Sequence, residues 1–118
     1  MKRKTFSAKP RPERRGDAQA FFLDKVISYE KGSIISKELV KKEAGTVTLF
    51  SFDKGQGLSE HTAPFDALVY VIDGEAKVRI SKKSHTVKCG QMLIMPANKP
   101  HSLSADKRFK MLLVLVKK

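Results

Sequence analysis

The sequence predicts an all-β fold, a small sandwich or barrel, for this chain of 118 residues. Segments of strand length that are rich in β-branched and apolar residues recur about every ten residues after Gly32. Glycine, proline, Lys-Lys and Asp-Gly separate these segments, as is typical of turns. Chains of this kind close their sheets into sandwiches or barrels, and the length fits a single domain.

The chain begins with a basic segment that is expected to be a mobile tail. Residues 1–16 combine Lys and Arg with proline and glycine, so they offer too little apolar surface to offset the entropy of ordering. The folded domain is expected to span residues 17–118. It would open with a short helix, because Asp17 is a candidate N-cap, apolar residues follow at nearly helical spacing to Tyr29, and Gly32 would end the helix.

Strand segments fill the rest of the domain, and the side-chain patterns of two of them indicate how each strand is covered. Residues 75–81 alternate between apolar and basic side chains, which indicates a half-exposed strand. Residues 67–72 are apolar on both faces, so both faces need a cover, and a homodimer is the economical explanation. The predicted strands are residues 33–40, 45–53, 67–73, 75–81, 85–89, 91–96 and 109–118.

The positive charge of the chain is concentrated at its start and in its second half. The formal net charge is +12, and residues 77–118 hold 11 Lys and Arg against one acid (11 − 1 = +10). Nucleic acid is therefore one candidate partner, bound through Lys2 to Arg15 and the Lys77 to Lys110 surface. The basic residues stand singly between apolar strand residues without interleaved aromatics, so a solvated face is the favoured interpretation.

Cysteine content and hydropathy indicate a soluble, cytoplasmic protein. Cys89 is the single cysteine, which excludes an internal disulfide and suits a reducing compartment. The longest apolar run, Met111 to Val116, is far shorter than the roughly 20 residues that cross a bilayer. The basic start has no apolar core of a signal peptide behind it, so neither export nor membrane insertion is expected.

Two stretches, residues 55–74 and 90–105, resemble the two motifs of small single-domain cupins. The first motif reads G-x5-H-x-H-x3-E-x6-G and the second reads G-x5-P-x-G-x2-H-x3-N. The resemblance implies an all-β double-stranded β-helix, or jelly-roll, barrel, here with the short helix at its N-terminal end. The matched positions are Gly55, His61, Gly74, Gly90, Pro96 and His101.

The chain departs from the family pattern at the residues that bind metal. Family members hold a metal with three histidines and one glutamate, but Ala63 and Ala67 replace a histidine and the glutamate of the first motif. In the second motif Asn98 and Ala105 replace the last glycine and the asparagine. The resemblance thus leaves two metal ligands, whereas a catalytic zinc or non-haem iron site normally keeps three protein ligands.

Three other side chains are candidates for a third ligand beside His61 and His101. His85 is the best of them because its strand parity points it into the barrel, although a rim or surface histidine is the more common alternative. Asp66 would need a bulge to turn inward. Cys89 would suit zinc or copper, but a buried, inert cysteine is the favoured interpretation.

The mouth of the barrel is the expected ligand pocket. Besides His61 and His101 its candidate lining residues are Phe50, Phe52, Phe65 and Met92, each of which would also suit a filled core. The favoured function is binding of a small polar or anionic molecule, with or without one divalent ion of zinc, iron, manganese, nickel or copper. The alternative is a metal-dependent oxygenase or isomerase in which a third ligand completes the site.

Overall fold

A computed structural model describes residues 18–117 together with the backbone of residues 2–5. These residues form ten strands in two sheets, which confirms the predicted all-β barrel. In chain order the strands are β1 (Lys2–Thr5), β2 (Ser33–Lys42), β3 (Gly45–Phe52), β4 (Gly57–His61), β5 (Asp66–Asp73), β6 (Glu75–Ile80), β7 (Lys83–Lys88), β8 (Met92–Met95), β9 (His101–Ser104) and β10 (Phe109–Val116).

The strands are arranged as a jelly roll. One sheet has the order β1-β2-β3-β10-β5-β8 and the other has the order β4-β9-β6-β7. The connections that cross from one sheet to the other are β3–β4, β4–β5, β5–β6, β7–β8, β8–β9 and β9–β10, so the two sheets enclose a common core. Strands β4 and β9 were not among the predicted strands, because both are short and polar.

Alternation along the strands supplies the core between the sheets. In β5 the side chains of Ala67, Val69 and Val71 are buried while their neighbours face outward. The rings of Phe52 and Phe109 stack with their centroids 4.6 Å apart, and both side chains are fully buried. Burial of a large apolar side chain contributes about 1.5–3 kcal/mol, so this core is the main source of stability.

The prediction of a short N-terminal helix over residues 17–29 is wrong for residues 18–29, which the structure describes. One 3-10 turn, Leu23–Lys25, stands in its place, and the predicted N-cap Asp17 lies outside the described residues. Aromatic, β-branched and serine residues dominate the segment and are weak helix formers, and a helix this short is marginal without packing. An extended segment instead lets Ile27 enter a second apolar cluster with Ile35 and Leu49 on the outer face of the larger sheet.

Polar contacts hold this segment on the barrel. The Ser51 hydroxyl donates to the Ser28 carbonyl at 2.8 Å, and the Tyr29 hydroxyl donates to the Asp73 carboxylate. The Arg108 guanidinium and the Lys110 ammonium lie 4.4 and 5.0 Å from the centre of the Tyr29 ring. Burial, followed by the bond to Asp73, raises the pKa of Tyr29, so its hydroxyl stays a donor at physiological pH.

The basic N-terminal segment is described in part. The backbone of Lys2–Thr5 pairs in parallel with Ser33–Ser36 at the edge of the larger sheet. The remainder of the predicted tail, residues 1 and 6–16, lies outside the described residues. Over residues 2–5 and 18–117, no helix has the length and apolarity that crossing a membrane requires.

Candidate functional site

The two histidines of the motifs meet at one end of the barrel. His61 is the last residue of β4 and His101 is the first residue of β9, and the two are cross-strand partners. Their rings contact each other edge to face, with centroids 4.3 Å apart and planes inclined at 71°. His101 is buried, with 5% of its surface exposed, whereas His61 is exposed. The pair therefore extends from the buried interior, at His101, to the solvent, at His61.

Hydrogen bonds fix the protonation pattern of both rings. Nδ1 of His61 lies 2.8 Å from the Ser59 carbonyl oxygen, and Nδ1 of His101 lies 3.1 Å from the Lys99 carbonyl oxygen. A carbonyl oxygen only accepts, so each Nδ1 must carry a proton and donate it. In a neutral imidazole the other nitrogen, Nε2, then presents a lone pair. Each histidine thus uses the carbonyl two residues before it to expose Nε2 as a ligand.

The two Nε2 atoms point at each other across 3.0 Å. Two lone pairs repel at this distance unless a proton or a cation lies between or beside them. Either one histidine takes up a proton and donates to the other, or both bind one metal ion. The arrangement is thus a site for a positive charge, in the form of a proton or a metal ion.

The separation of the two nitrogens can be compared with metal coordination. Nitrogens that lie about 2.1 Å from one ion are about 3.0 Å apart at adjacent corners of an octahedron and about 3.4 Å apart at the corners of a tetrahedron. The observed 3.0 Å is close to the first of these separations and is equally the length of an N–H···N hydrogen bond between the two rings. The pair offers two of the donors that a metal ion would need.

The environment of His101 favours its neutral form. Burial lowers the pKa of His101, the hydrogen bond to Lys99 raises it in part, and the nearby His61 lowers it further. His101 is consequently favoured in its neutral form at neutral pH. Metal ligation requires neutral imidazole, so this is the protonation state in which His101 could serve as a ligand.

Acidification is expected to destabilise the folded protein through His101. Its pKa is lower in the folded than in the unfolded chain, so the unfolded chain takes up this proton first as the pH falls below about 6.5. The unfolding free energy should decline from that pH downward and this contribution should level off below the folded-state pKa. Urea unfolding with EDTA at several pH values should give a weaker pH dependence for His101→Asn than for the wild type; equal dependence would contradict the prediction.

The three candidate third ligands lie elsewhere. Asp66 is exposed, and its carboxylate accepts the Ala97 backbone N–H at 2.9 Å, which ties β5 to the loop that leads to His101. His85 is half-buried opposite Val78 and lines a groove of about 300 Å³ beside Gln91 and Met92. Over residues 2–5 and 18–117, no three His, Cys, Asp or Glu side chains are grouped so that they could hold a metal.

Cys89 does not have the buried position that the sequence favours. It lies in the turn after β7, is exposed, and its thiol donates to the Ile72 carbonyl at 3.3 Å. Ile72 lies near the end of β5, whereas the loop before His101 contacts the start of β5 through Asp66. Cys89 and the histidine pair therefore lie at opposite ends of the barrel.

The predicted apolar lining of the pocket requires correction at three positions. Phe50 and Phe52 are core residues with 4% and 0% exposure, packed ring against ring at the far end of β3. Met92 points outward from β8 and is 53% exposed, since it is the cross-strand partner of the outward-facing Tyr70. Phe65 is half-buried in the segment before β5, with the Lys117 ammonium 5.4 Å from its ring centre.

The backbone explains one of the replaced motif positions. Asn98 has φ of 65°, a left-handed conformation that glycine and asparagine adopt most readily, and its N–H donates to the Ala63 carbonyl at 2.8 Å. The loop geometry of the motif thus survives without its glycine. Ala67, at the family's glutamate position, is buried and brings a methyl group to this end of the barrel.

Comparison with known proteins agrees with this geometry. The family model of the cupin domain matches residues 48–116. A conserved protein of unknown function from Streptococcus pyogenes is 37% identical, with a TM-score of 0.83, over 86% of this chain and 90% of that chain. A cupin superfamily protein from Desulfitobacterium hafniense is 25% identical, with a TM-score of 0.81, over 86% and 94% of the two chains.

A third relative shares more of its sequence with this chain but is longer. A cupin 2 conserved barrel domain protein from Leptotrichia buccalis is 47% identical over 82% of this chain, with a TM-score of 0.80. The present chain spans 47%, about half, of that protein's length. A search of curated proteins found no match. The family match and the 37% identical structure agree with the fold, and the chain belongs to the cupin family.

Proposed function

We propose that this protein is a cytoplasmic cupin that binds a small polar or anionic molecule at the mouth of its barrel through one divalent metal ion. The observation that carries the proposal is the convergence of the two Nε2 atoms, 3.0 Å apart, with both Nδ1 protons held by backbone carbonyls. Second-layer hydrogen bonds of this kind orient histidines that bind metals. An exposed free thiol at Cys89 agrees with a reducing compartment.

Binding, without turnover, is favoured by the number of protein ligands. Catalytic metal sites commonly keep three protein ligands, and the described residues bring two imidazoles together. Two neutral imidazoles leave the full charge of a divalent ion uncompensated. An anionic small molecule would compensate that charge and occupy positions that the protein leaves open. His61 and His101 would hold the ion, and the ion would supply Lewis acidity toward an oxygen of the bound molecule.

Titration with cobalt(II) tests this proposal directly. The visible bands of Co²⁺ respond to its coordination, so they should change on addition of the full-length protein and saturate at one ion per chain. Formate, a small anion, should shift the bands of the protein-bound ion at concentrations that leave free Co²⁺ unchanged. A spectrum that the protein does not alter would contradict the proposed metal, and a spectrum insensitive to formate would contradict the proposed anion.

We propose further that the protein is a homodimer through the outer face of the larger sheet. The N-terminal segment covers one part of this face, around Ile35 and Leu49. The other part is apolar, because Leu68 is the cross-strand partner of both Val114 and Ile94 in one row across three strands. Ile94 is 57% exposed, and a second copy would bury it.

Charge placed on this face is expected to break the dimer. A Met92→Glu, Ile94→Glu variant would have to bury two carboxylates, so light scattering after size exclusion should report a monomer, with the wild type a dimer. Phe22→Glu is the matched control, because Phe22 is an exposed apolar residue outside this row. A monomeric wild type, or a control as monomeric as the double variant, would contradict the interface.

A further inference from the structure

The outer face of the smaller sheet carries a regular polar pattern unrelated to the histidine pair. On β6, the outward-pointing Lys77 and Arg79 alternate with the buried Ala76 and Val78. The neighbouring strands β9 and β7 present serine and threonine on the same side. The face is therefore an array of cations and hydroxyls on three hydrogen-bonded strands.

The register groups these side chains into two parallel rows. In the first row, Lys77 lies between Ser104 on β9 and Thr86 on β7, and its ammonium donates to the Thr86 hydroxyl at 3.0 Å. In the second row, Arg79 lies between Ser102 and Ser84. Each row thus places one cation between two hydroxyls, and the two rows are about 7 Å apart because two strand residues separate them.

The rows contain no acidic side chain. Glu75 is the nearest acid on β6, and it lies opposite Lys88. Glu60 belongs to β4, the edge strand on the other side of β9. Lys82, in the β6–β7 turn with φ of 72°, is exposed and adds a further cation at one end of the rows. The two rows therefore have a net positive charge.

Cations and hydroxyls are the groups with which proteins contact phosphates. Two similar hydroxyl-cation-hydroxyl rows on hydrogen-bonded strands suit a ligand whose phosphates repeat along a chain. None of the outward residues of these three strands is aromatic, so the face offers no platform for stacked bases. A duplex, whose bases are already stacked, matches this surface better than a single strand does.

We infer that the outer face of β6, β7 and β9 binds the phosphate backbone of double-stranded nucleic acid without reading its sequence. Lys77 and Arg79 neutralise phosphates, and Ser84, Thr86, Ser102 and Ser104 supply hydrogen-bond donors beside them. This surface is separate from the histidine pair, because the pair lies on the inward side of the same sheet. The two sites can therefore succeed or fail independently.

Fluorescence anisotropy of a short labelled DNA duplex with the full-length protein tests this inference. Wild-type affinity should fall steeply between about 50 and 200 mM salt, as counterion release requires. In Lys77→Gln, Arg79→Gln the affinity at low salt should fall about tenfold, and the slope of log Kd against log salt should decrease by about 1.8, or about 0.9 per lost phosphate contact.

Two further variants separate this surface from general positive charge. Lys41→Gln, Lys42→Gln removes the same charge from exposed positions on the other sheet and should change affinity less than about twofold. Ser84→Ala, Ser102→Ala keeps the charge and should weaken binding about threefold with an unchanged salt slope. Unaltered thermal unfolding would confirm that each variant is folded.

Several outcomes would overturn the inference. The wild type would fail to bind the duplex at low salt, or Lys41→Gln, Lys42→Gln would weaken binding as much as Lys77→Gln, Arg79→Gln. Tighter binding to a single strand of equal length would exclude a duplex-specific surface. Vesicles of anionic phospholipid that bind more tightly than the duplex, and lose binding in Lys77→Gln, Arg79→Gln, would assign the face to a membrane.

Discussion

A His101→Ala variant is expected to lose divalent-metal binding, with an affinity at least about 100-fold below that of the wild type. The described residues bring two imidazole nitrogens together, so this change removes half of the protein's donors. The remaining His61 is exposed and would bind as weakly as a surface histidine. Calorimetric titration with Ni²⁺ or Mn²⁺ at pH 7.5 would measure the loss.

His61→Ala provides the second test, because removal of an exposed side chain leaves folding intact. It should weaken binding as strongly as His101→Ala, since either histidine alone is a single donor. Cys89→Ser and His85→Ala are the matched controls, and both should retain wild-type affinity because these side chains lie away from the pair. Metal bound at full affinity by His101→Ala, or lost in Cys89→Ser, would place the metal elsewhere.

The metal affinity should also decrease as the solution is acidified, because metal binding requires neutral imidazole. The lowered pKa of His101 softens this competition at that residue. Titration at a series of pH values distinguishes the pair from a carboxylate site, which would keep its affinity to lower pH. Affinity unchanged between about pH 7.5 and 5.5 would contradict ligation by the histidines.

The barrel itself could be predicted from the sequence because alternation and turn residues recur along the chain. Strands such as β5 and β10 are apolar enough to stand out from their surroundings. Strands β4 and β9 are short, and β4 consists of half-buried or exposed residues, so no hydropathy pattern marks them. These two strands carry His61 and His101. The spacing of the two motifs therefore identified the site, whereas the periodicity of hydropathy did not.

The helix prediction failed for a tertiary reason. The apolar spacing of residues 18–29 is nearly helical, but the outer face of the larger sheet presents β-branched and leucine side chains against which an extended segment can pack. Ile27 packs against these side chains, and the Tyr29 hydroxyl bonds to Asp73, which lies 44 positions away in the sequence. Contacts between residues so far apart in the sequence leave no trace in the local sequence pattern.

The contacts made by the side chains of the site could also not be predicted from the sequence. The two faces of a strand can be separated by parity, yet the inward assignment failed for Met92, and parity cannot say at which end of the barrel an inward residue lies. Phe50 and Phe52 face inward as predicted but lie in the packed far end. The carbonyls of Ser59 and Lys99, which fix the histidine protons, belong to the backbone, so residue identity carries no sign of them.

Gly74→Ala is expected to lower the unfolding free energy by about 3 kcal/mol or more. Gly74 alone joins β5 to β6, so the chain crosses from one sheet to the other at this residue. Its φ is 73°, which costs a residue with a side chain about 1–2 kcal/mol. An added Cβ would also collide with the Arg108 carbonyl oxygen and lie 3.1 Å from Cα and Cβ of Phe109.

The collision cannot be relieved by moving a flexible side chain. Arg108 and Phe109 would meet the new methyl group with backbone atoms, and the Phe109 ring is stacked on Phe52 in the core. Any shift of β10 would disturb that stack and its register with both β3 and β5. The strain therefore spreads from the turn into the packed interior, where small displacements are costly.

Gly90→Ala separates the two contributions, because Gly90 has φ of 87° and no atom within 4 Å of an added Cβ. This control should lose about 1–2 kcal/mol, from the backbone conformation alone. Urea unfolding of both variants, followed by circular dichroism, would measure the difference. Equal losses would mean that the left-handed turn, and not the approach of β10, makes glycine necessary at position 74. A larger loss in Gly74→Ala would identify the close packing of the two sheets as the constraint on this glycine.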